Sequence, residues 1–269
     1  MPEPSLPRHP ERPGYAYLHP GLRLAARLID AAGAAATFWM RRGAGLTRPV
    51  RRVALVKLDH LGDAFLLTPA VGILRARFPG ARIQVLCSPS SRAAWETLPG
   101  VDELALLEHG PSRRSGSFSP FASVRAAARA LRRLKPDLAL DFRGDAWVSI
   151  AMALAGIPAR AGIRGEEAFS FLYTHPVDPS PGLHECERHA RLLQALGCKV
   201  HGWSPRLFPT AGESRLAHAI LPGSPRSRGA GAGAERTRRA TKWLAVHTGA
   251  GAPYKEWPEQ RWSALLAAF

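Results

Sequence analysis

Short apolar runs alternate with longer amphipathic segments through the middle of the chain. The clearest runs are residues 53–58 (VALVKL), 81–88 (ARIQVLCS) and 137–142 (DLALDF). Strands that are buried on both faces of a sheet have such continuous apolar sequences. Because the segments between the runs show helical spacing of apolar residues, the pattern predicts an α/β fold with a mostly parallel sheet.

Weaker periodicity predicts the remaining elements of this region. Two further strands are predicted over residues 101–107 and 159–163. Predicted helices follow the run at 53–58 and cover residues 93–98, 122–134, 147–155 and 183–196.

The N-terminal extension, residues 1–50, contains one predicted amphipathic helix over residues 21–42. Ile29 and Ala32 belong to its apolar face, whereas arginines and Asp30 lie off that face. These charges argue against a transmembrane span. Two interpretations stay open: a helix lying on an anionic membrane surface, and a helix packed against the domain.

Composition then divides the rest of the chain. Residues 51–221 carry the alternating pattern and form one predicted domain. Residues 222–241 (PGSPRSRGAGAGAERTRRAT) lack apolar periodicity and are predicted to be a flexible linker. Residues 242–269 begin with a predicted strand over 242–247 and end with a helix that starts after Pro258.

The charge balance is unusual for a globular protein. Arginine and lysine number 37 against 21 acidic residues, a formal net charge of +16. Two interpretations of the excess stay open: nucleotide bias in the genome, and contact with an anionic partner such as a membrane surface, a phosphorylated substrate or nucleic acid. No nucleic-acid-binding motif supports the last of these. The three cysteines form no CxxC motif, which indicates reduced thiols in a cytosolic protein.

Candidate chemistry follows the first strand directly. Asp59, His60 and Asp63 lie in DHLGD, where the strand at 53–58 hands over to a helix. In open α/β sheets, ligands bind in the crevice outside the carboxyl ends of the strands. Asp63 is therefore either a helix cap or a general base that takes a proton from a substrate hydroxyl.

A second candidate site lies in residues 247–258 (HTGAGAPYKEWP). Gly249, Ala250 and Gly251 are small enough for a ligand to approach the backbone, whose N–H groups before a helix attract phosphate. Lys255 adds a mobile positive charge. A plain glycine-rich turn with a surface lysine explains the same pattern.

Four stretches, taken in order, resemble the heptosyltransferases of glycosyltransferase family 9. They are KLDHLGDAFLLTPAVGILRARFPGARI, PDLALDFRGD, HECERHARLLQALG and LAVHTGAGAPYKEWPEQRWSALLAAF. The resemblance implies a GT-B fold, in which two Rossmann-like domains face a cleft. It also implies inverting transfer of a sugar, typically heptose from an ADP-linked donor, to a lipopolysaccharide core or related surface glycan. Neither a metal ion nor a cofactor is expected.

The resemblance also assigns roles to individual residues. Asp63 matches the family's catalytic base, and Lys255 matches the lysine that contacts the donor diphosphate. Gly249, Ala250 and Gly251 match the loop that meets the donor phosphates. Three further candidates come from the residues themselves and not from the resemblance. Asp59 and His60 either shape the loop after the first strand or bind the acceptor, and Asp59 could equally be a turn residue. Arg143 either binds an acidic acceptor or is a solvated loop arginine.

The expected partners are a nucleotide-sugar donor, a glycolipid or glycan acceptor and an anionic membrane, but not nucleic acid. The expected location is the cytoplasm, peripheral on the inner face of the cell membrane. A second Rossmann-like domain needs roughly a hundred residues, so residues 242–269 are predicted to be its truncated start. The alternative function is an inactive remnant that only binds acceptor. A nicotinamide dehydrogenase is disfavoured because no GxGxxG follows residues 53–58.

Overall fold

The computed structural model describes residues 28–37, 49–108, 120–164, 169–178, 182–220, 244–249 and 256–268. These residues belong to two compact units, Met1–Phe208 and Pro209–Phe269. The predicted linker, residues 222–241, lies outside the described residues, so the domain boundaries stay predictions.

The first unit is built on one parallel sheet, as the apolar runs predict. Its strands are β1 (Arg52–Lys57), β2 (Arg82–Cys87), β3 (Glu103–Leu106), β4 (Leu138–Asp141), β5 (Ala159–Ile163) and β6 (His175–Val177). Within the described residues, the spatial order is β3-β2-β1-β4-β5-β6 and every pair is parallel. The order reverses between β1 and β4, which is the switch point of a doubly wound fold.

Helices cover both faces of the sheet. The helices of the first unit are α1 (residues 28–37), α2 (Leu61–Leu67), α3 (Pro69–Arg77), α4 (Pro120–Leu134), α5 (Ala146–Leu154) and α6 (Glu185–Ala195), with 3₁₀ helices at Pro89–Ala94 and Ser170–Leu172, and those of the second unit are α7 (Ala211–Ile220) and α8 (Glu259–Ala267). Buried residues of α2, α3 and α6 form the core on one face, and those of α4 and α5 form the core on the other. The second unit contributes α7 and α8 among the described residues.

β1 shows why its sequence is apolar without interruption. Val53 and Leu55 belong to the core under α2 and α3, whereas Ala54 and Val56 belong to the core under α4 and α5. All four are buried. A central strand of a two-sided sheet has no solvent face, so it cannot alternate polar with apolar residues.

Three of the predicted elements differ from the structure. The single helix expected after β1 is two helices, because Pro69 lacks an N–H and begins α3 instead of continuing α2. The helix predicted over residues 93–98 is wrong; a 3₁₀ helix begins earlier, at Pro89. The strand predicted over residues 242–247 is also wrong for 244–247, which have no regular secondary structure. A strand without a hydrogen-bonded neighbour is not stable.

α1 confirms a helix within the predicted segment 21–42, but it packs through the side that was expected to be polar. Gly33 lies so close to the Phe171 ring that an added Cβ would be 2.4 Å away. The Ser170 hydroxyl donates a hydrogen bond to Asp30 Oδ2 at 2.8 Å. Ile29, on the predicted apolar face, stays 44% exposed. Among the described residues, no helix is both long and apolar enough to cross a bilayer.

Candidate active site at the carboxyl ends of β1 and β4

The loops that follow β1 and β4 meet at the switch point of the sheet. Val56 of β1 is in register with Asp141 of β4, so the residues after each strand emerge side by side. This brings Asp59 next to Arg143, which lies 84 positions away in sequence. The crevice expected from the fold is therefore lined by charged groups.

Lys57 and Asp59 form a buried ion pair in this crevice. Lys57 Nζ lies 2.8 Å from Asp59 Oδ2, and the two side chains are only 2% and 6% exposed. Arg143 also forms an ion pair with Asp59. Burial raises the pKa of the Asp59 carboxyl, but the charges of Lys57 and Arg143 outweigh it and the net pKa is lowered. Asp59 is thus held as a carboxylate between two cations.

Arg143 is shared between two carboxylates. Its guanidinium binds Asp59, and its Nε lies 3.0 Å from Asp145 Oδ1. Burial lowers the pKa of Arg143, but the negative charges of Asp145 and Asp59 outweigh burial, so the net pKa is raised above its ordinary value. Since the side chain is still about half exposed, an anionic acceptor group could reach it only in competition with these two carboxylates.

Asp141 anchors the loop that carries Arg143. Its Oδ1 accepts hydrogen bonds from the backbone N–H of Arg143 at 2.9 Å and of Gly144 at 3.1 Å. Its Oδ2 accepts one from the Tyr173 hydroxyl at 2.7 Å. Burial raises the pKa of Asp141, opposed by these hydrogen bonds and by Lys57. Gly144 has φ of 86°, a conformation that favours glycine in this tight turn.

Tyr173 reaches Asp141 because β5 makes room for its ring. An added Cβ on Gly162 would lie 2.4 Å from the Tyr173 ring. The ring is buried and belongs to the core under α4 and α5. A glycine in β5 therefore sets the position of a hydroxyl that holds the end of β4.

Asp63 lies in the first turn of α2, directly after the β1–α2 loop, and is half-buried. The N-cap of α2 is His60, not Asp63, and no side chain caps the helix. With the described residues, Asp63 makes no hydrogen bond or ion pair through its carboxylate. Its role as a helix cap is therefore not supported, and its role as a general base stays a prediction.

The surface around Asp63 is open. His60, Leu61 and Gly62 are exposed. A Cβ added to Gly62 would meet nothing within 4 Å. A bulky acceptor therefore has access to the first turn of α2.

The HECER stretch has a structural role in this fold. His184 is the N-cap of α6, and its Nδ1 accepts a hydrogen bond from the N–H of Cys186 at 3.3 Å. The N–H of His184 donates in return to Glu187 Oε2 at 3.0 Å. Together they form a capping box that starts the helix.

His189, further along α6, is a buried imidazole close to the site. Its ring packs edge-on against Phe142 with 5.3 Å between centroids. Burial, with Lys57 next, lowers the pKa of His189 to about 3. The imidazole is therefore neutral at physiological pH, and its 3.5 Å approach to Glu185 is not an ion pair.

The donor-side residues stay predictions. Gly249 lies in residues 244–249, which have no regular secondary structure. Ala250, Gly251 and Lys255 lie outside the described residues. Among the residues that are described, no group of three or more acidic, histidine or cysteine side chains is placed to hold a metal ion. The three cysteines are free.

Comparison with known proteins adds the family. The sequence model of glycosyltransferase family 9 (heptosyltransferase) matches residues 124–269, more than half of the chain. The chain belongs to glycosyltransferase family 9. Lipopolysaccharide heptosyltransferase 3 of Escherichia coli K12 is 27% identical over 147 residues, which cover 52% of this chain and 41% of that relative.

Solved structures of family 9 proteins share the fold. The glycosyl transferase family 9 structure from Veillonella parvula has a TM-score of 0.58 at 17% identity, covering 80% of this chain and 58% of that one. E. coli heptosyltransferase WaaC with ADP-2-deoxy-2-fluoro heptose has a TM-score of 0.51 at 20% identity, covering 81% and 65%. The predicted GT-B fold is confirmed for this family 9 chain, which spans less than two thirds of each of these relatives.

Sequence reasoning selected some of the residues that meet at this edge of the sheet and missed others. It selected Asp63 as a catalytic base and Asp59, His60 and Arg143 as candidate acceptor-binding residues. The structure places all four at the same edge of the sheet, and their roles stay predictions. Sequence reasoning missed Lys57, Asp141 and Tyr173. A signal was present for two of them: Lys57 and Asp141 each interrupt an apolar run, and a charge on a buried strand requires a partner.

Proposed function

We propose that the complete protein is an inverting, metal-independent glycosyltransferase that moves heptose from an ADP-linked donor to a lipopolysaccharide core or related surface glycan. Family membership supports sugar transfer. The names of the relatives support the finer assignment: one is a lipopolysaccharide heptosyltransferase, and another is a heptosyltransferase with an ADP-linked fluoroheptose. The alternative function is that of a non-catalytic remnant, which binds acceptor without transferring sugar.

The observation that carries this proposal is the contrast between Asp59 and Asp63. Asp59 is buried and paired with two cations, so its carboxylate is a poor proton acceptor. Asp63 has no such partner among the described residues and lies beside an open surface. A general base must be accessible to the hydroxyl that it deprotonates. Asp63 meets that requirement and Asp59 does not.

The proposed reaction is a single displacement. An acceptor hydroxyl gives its proton to Asp63 as its oxygen forms a bond to the anomeric carbon of the donor. The bond from that carbon to the diphosphate breaks on the opposite side, which inverts the configuration. The backbone at Gly249–Gly251 and the Lys255 ammonium stabilise the leaving diphosphate, and Lys255 supplies the positive charge that a metal ion supplies in other transferases.

The cluster of Lys57, Asp59, Arg143 and Asp145 gives this site a fixed floor. Because its two cations and two carboxylates pair with one another, the cluster can hold the β1–α2 loop and the β4–α5 loop together without a ligand. Preorganised surroundings reduce the cost of orienting the acceptor. We place the reaction in the cytoplasm, at the inner face of the membrane, where α1 exposes Ile29 and Leu28.

The test is Asp63→Asn in the complete protein, with ADP-heptose and a deacylated core acceptor. We expect turnover to fall by about 10²- to 10⁴-fold while donor binding is kept, as for a removed general base. Glu259→Gln is the matched control, since Glu259 is also a first-turn carboxylate, in α8, and it should keep normal turnover. Undiminished transfer by Asp63→Asn would reject the role. Acceptor binding by the wild-type protein without transfer would favour the remnant.

A further inference from the structure

The outer face of α4 is a surface that the proposed reaction does not use. The inner face of the helix carries Ala127, Ala128 and Leu131, which are buried in the core beneath it. On the opposite side, Arg125 and Arg129 are exposed one turn apart. The helix is thus amphipathic, and the charged residues on its outer side are all arginines.

Four arginines form this outer surface, which we call the arginine stripe: Arg125, Arg129, Arg132 and Arg133. Arg125, Arg129 and Arg132 recur at helical spacing and so lie along one line. α4 has no acidic residue in its sequence, PFASVRAAARALRRL. The described residues give Arg125 and Arg129 no ion pair. The stripe therefore projects an uncompensated positive charge.

Apolar side chains stand at both ends of the stripe. Phe121, at the start of α4, is 84% exposed. Leu154, at the end of α5, is 53% exposed, and its carbonyl accepts a hydrogen bond from Arg132 Nη2 at 2.6 Å. Exposed large apolar residues beside unpaired arginines match the two layers of a lipid surface, headgroups and acyl boundary. A nucleic acid backbone would use the arginines but not Leu154.

α1 lies near the same side of the molecule. It packs on the 3₁₀ helix Ser170–Leu172 through Gly33, and that 3₁₀ helix contacts α5. α1 therefore adjoins the layer formed by α4 and α5, and it leaves Leu28 and Ile29 exposed. Two separate elements of this layer thus present groups suited to a membrane.

We propose that the arginine stripe of α4, with Phe121 and Leu154, is the surface by which this protein binds an anionic lipid bilayer. Guanidinium groups contact the lipid phosphates, and the two apolar side chains enter the interface. The proposal concerns α4 and not the transfer site, so it stands whether or not the chain transfers sugar.

The test uses the 269-residue chain and sedimentation with vesicles of phosphatidylglycerol and phosphatidylcholine. Each arginine near an anionic surface contributes about a fivefold gain in affinity, so removing two charges should weaken binding about 30-fold, and reversing them more. Arg125→Glu with Arg129→Glu is the variant. Arg206→Glu with Arg215→Glu is the control, because it makes the same change in net charge at exposed positions outside α4.

The expected result is loss of vesicle binding in the α4 variant and retention in the control. Phe121→Ser should weaken binding at salt concentrations that already screen the arginines. Equal binding by wild type and the α4 variant, or an equal loss in the control, would overturn the proposal. Tighter wild-type binding to a DNA duplex than to vesicles, lost in the same variant, would also overturn it. In the complete protein, the α4 variant should transfer sugar normally to a water-soluble acceptor.

Discussion

His189 should make the first unit increasingly unstable as the pH falls below neutral. The imidazole is fully buried on α6 between Phe142 and Trp203. The charged groups that act on it, besides Asp59, are cationic or lie on its own helix: Lys57 of β1, Arg188 and His184. Burial, with Lys57 next, lowers its pKa from 6.5 to about 3. The His189 imidazole therefore binds a proton readily in the unfolded chain but not in the folded chain.

The sign and size of the effect follow from this difference. His189 has a depressed folded pKa, so its contribution to stability is full above pH 6.5 and is lost as the pH falls towards 3. Between pH 8 and pH 5, the free energy of unfolding should fall by about 2 kcal/mol from this group alone. Glu185, 3.5 Å from the ring, would reduce the fall only if it stabilised an imidazolium.

The assay is urea unfolding of the 269-residue chain, followed by tryptophan fluorescence at several pH values. His189→Phe keeps a planar ring in the cavity and removes the titration, so the slope of stability against pH between 8 and 5 should flatten. The constant packing cost of the larger ring does not change that slope. His201→Gln, at an exposed position, is the control and should leave it intact. An unchanged slope in His189→Phe, or an NMR titration midpoint of His189 near 6.5, would refute the reasoning.

Two further changes test the buried site. Asp59→Asn removes the ion-pair partner of the buried Lys57 Nζ and should cost about 3–5 kcal/mol in urea unfolding. By contrast, Glu96→Gln in an exposed pair should cost under about 1 kcal/mol. Because the pKa of Asp59 is lowered, the ion pair should stabilise the wild-type chain fully above about pH 4 and lose its effect as the pH falls below that value. A smaller loss of stability in Asp59→Asn at pH 7 would contradict the pairing. Gly162→Ala must displace the Tyr173 ring and should cost about 1–3 kcal/mol by overpacking, and a neutral result by thermal unfolding would show that the ring moves freely.

The central strands of the sheet could be predicted from sequence because burial on both faces requires a continuous run of apolar residues. β1, β2 and β4 are continuous apolar runs, and each was predicted within two residues of its observed bounds. β6 could not be predicted in the same way, since it has three residues and includes Pro176. It forms only because β5 is already in place to pair with it.

The pairings of the site could not be predicted from a local run of residues. Asp59 and Arg143 meet across 84 positions because β1 and β4 are neighbours, which depends on the strand order. The side on which α1 packs could not be predicted from helical periodicity either. It depends on the close contact between Gly33 and the Phe171 ring, which are distant in sequence. The sequence shows which residue types follow each strand. Which of these residues meet depends on the order of the strands in the sheet.

Environment assigns different tasks to three aspartates at this one edge of the sheet. Asp141 is enclosed and accepts hydrogen bonds from a tyrosine and two backbone groups, so it holds a loop. Asp59 is enclosed and neutralised by two cations, so it ties two loops together. Asp63 alone of the three lacks such partners within the described residues and adjoins exposed surface. A carboxylate that already stabilises the fold through ion pairs must break them to take a proton, and Asp63 has no ion pair with any described residue. The two satisfied aspartates therefore hold the loops of the site, and we propose that the third, Asp63, is the group that reacts.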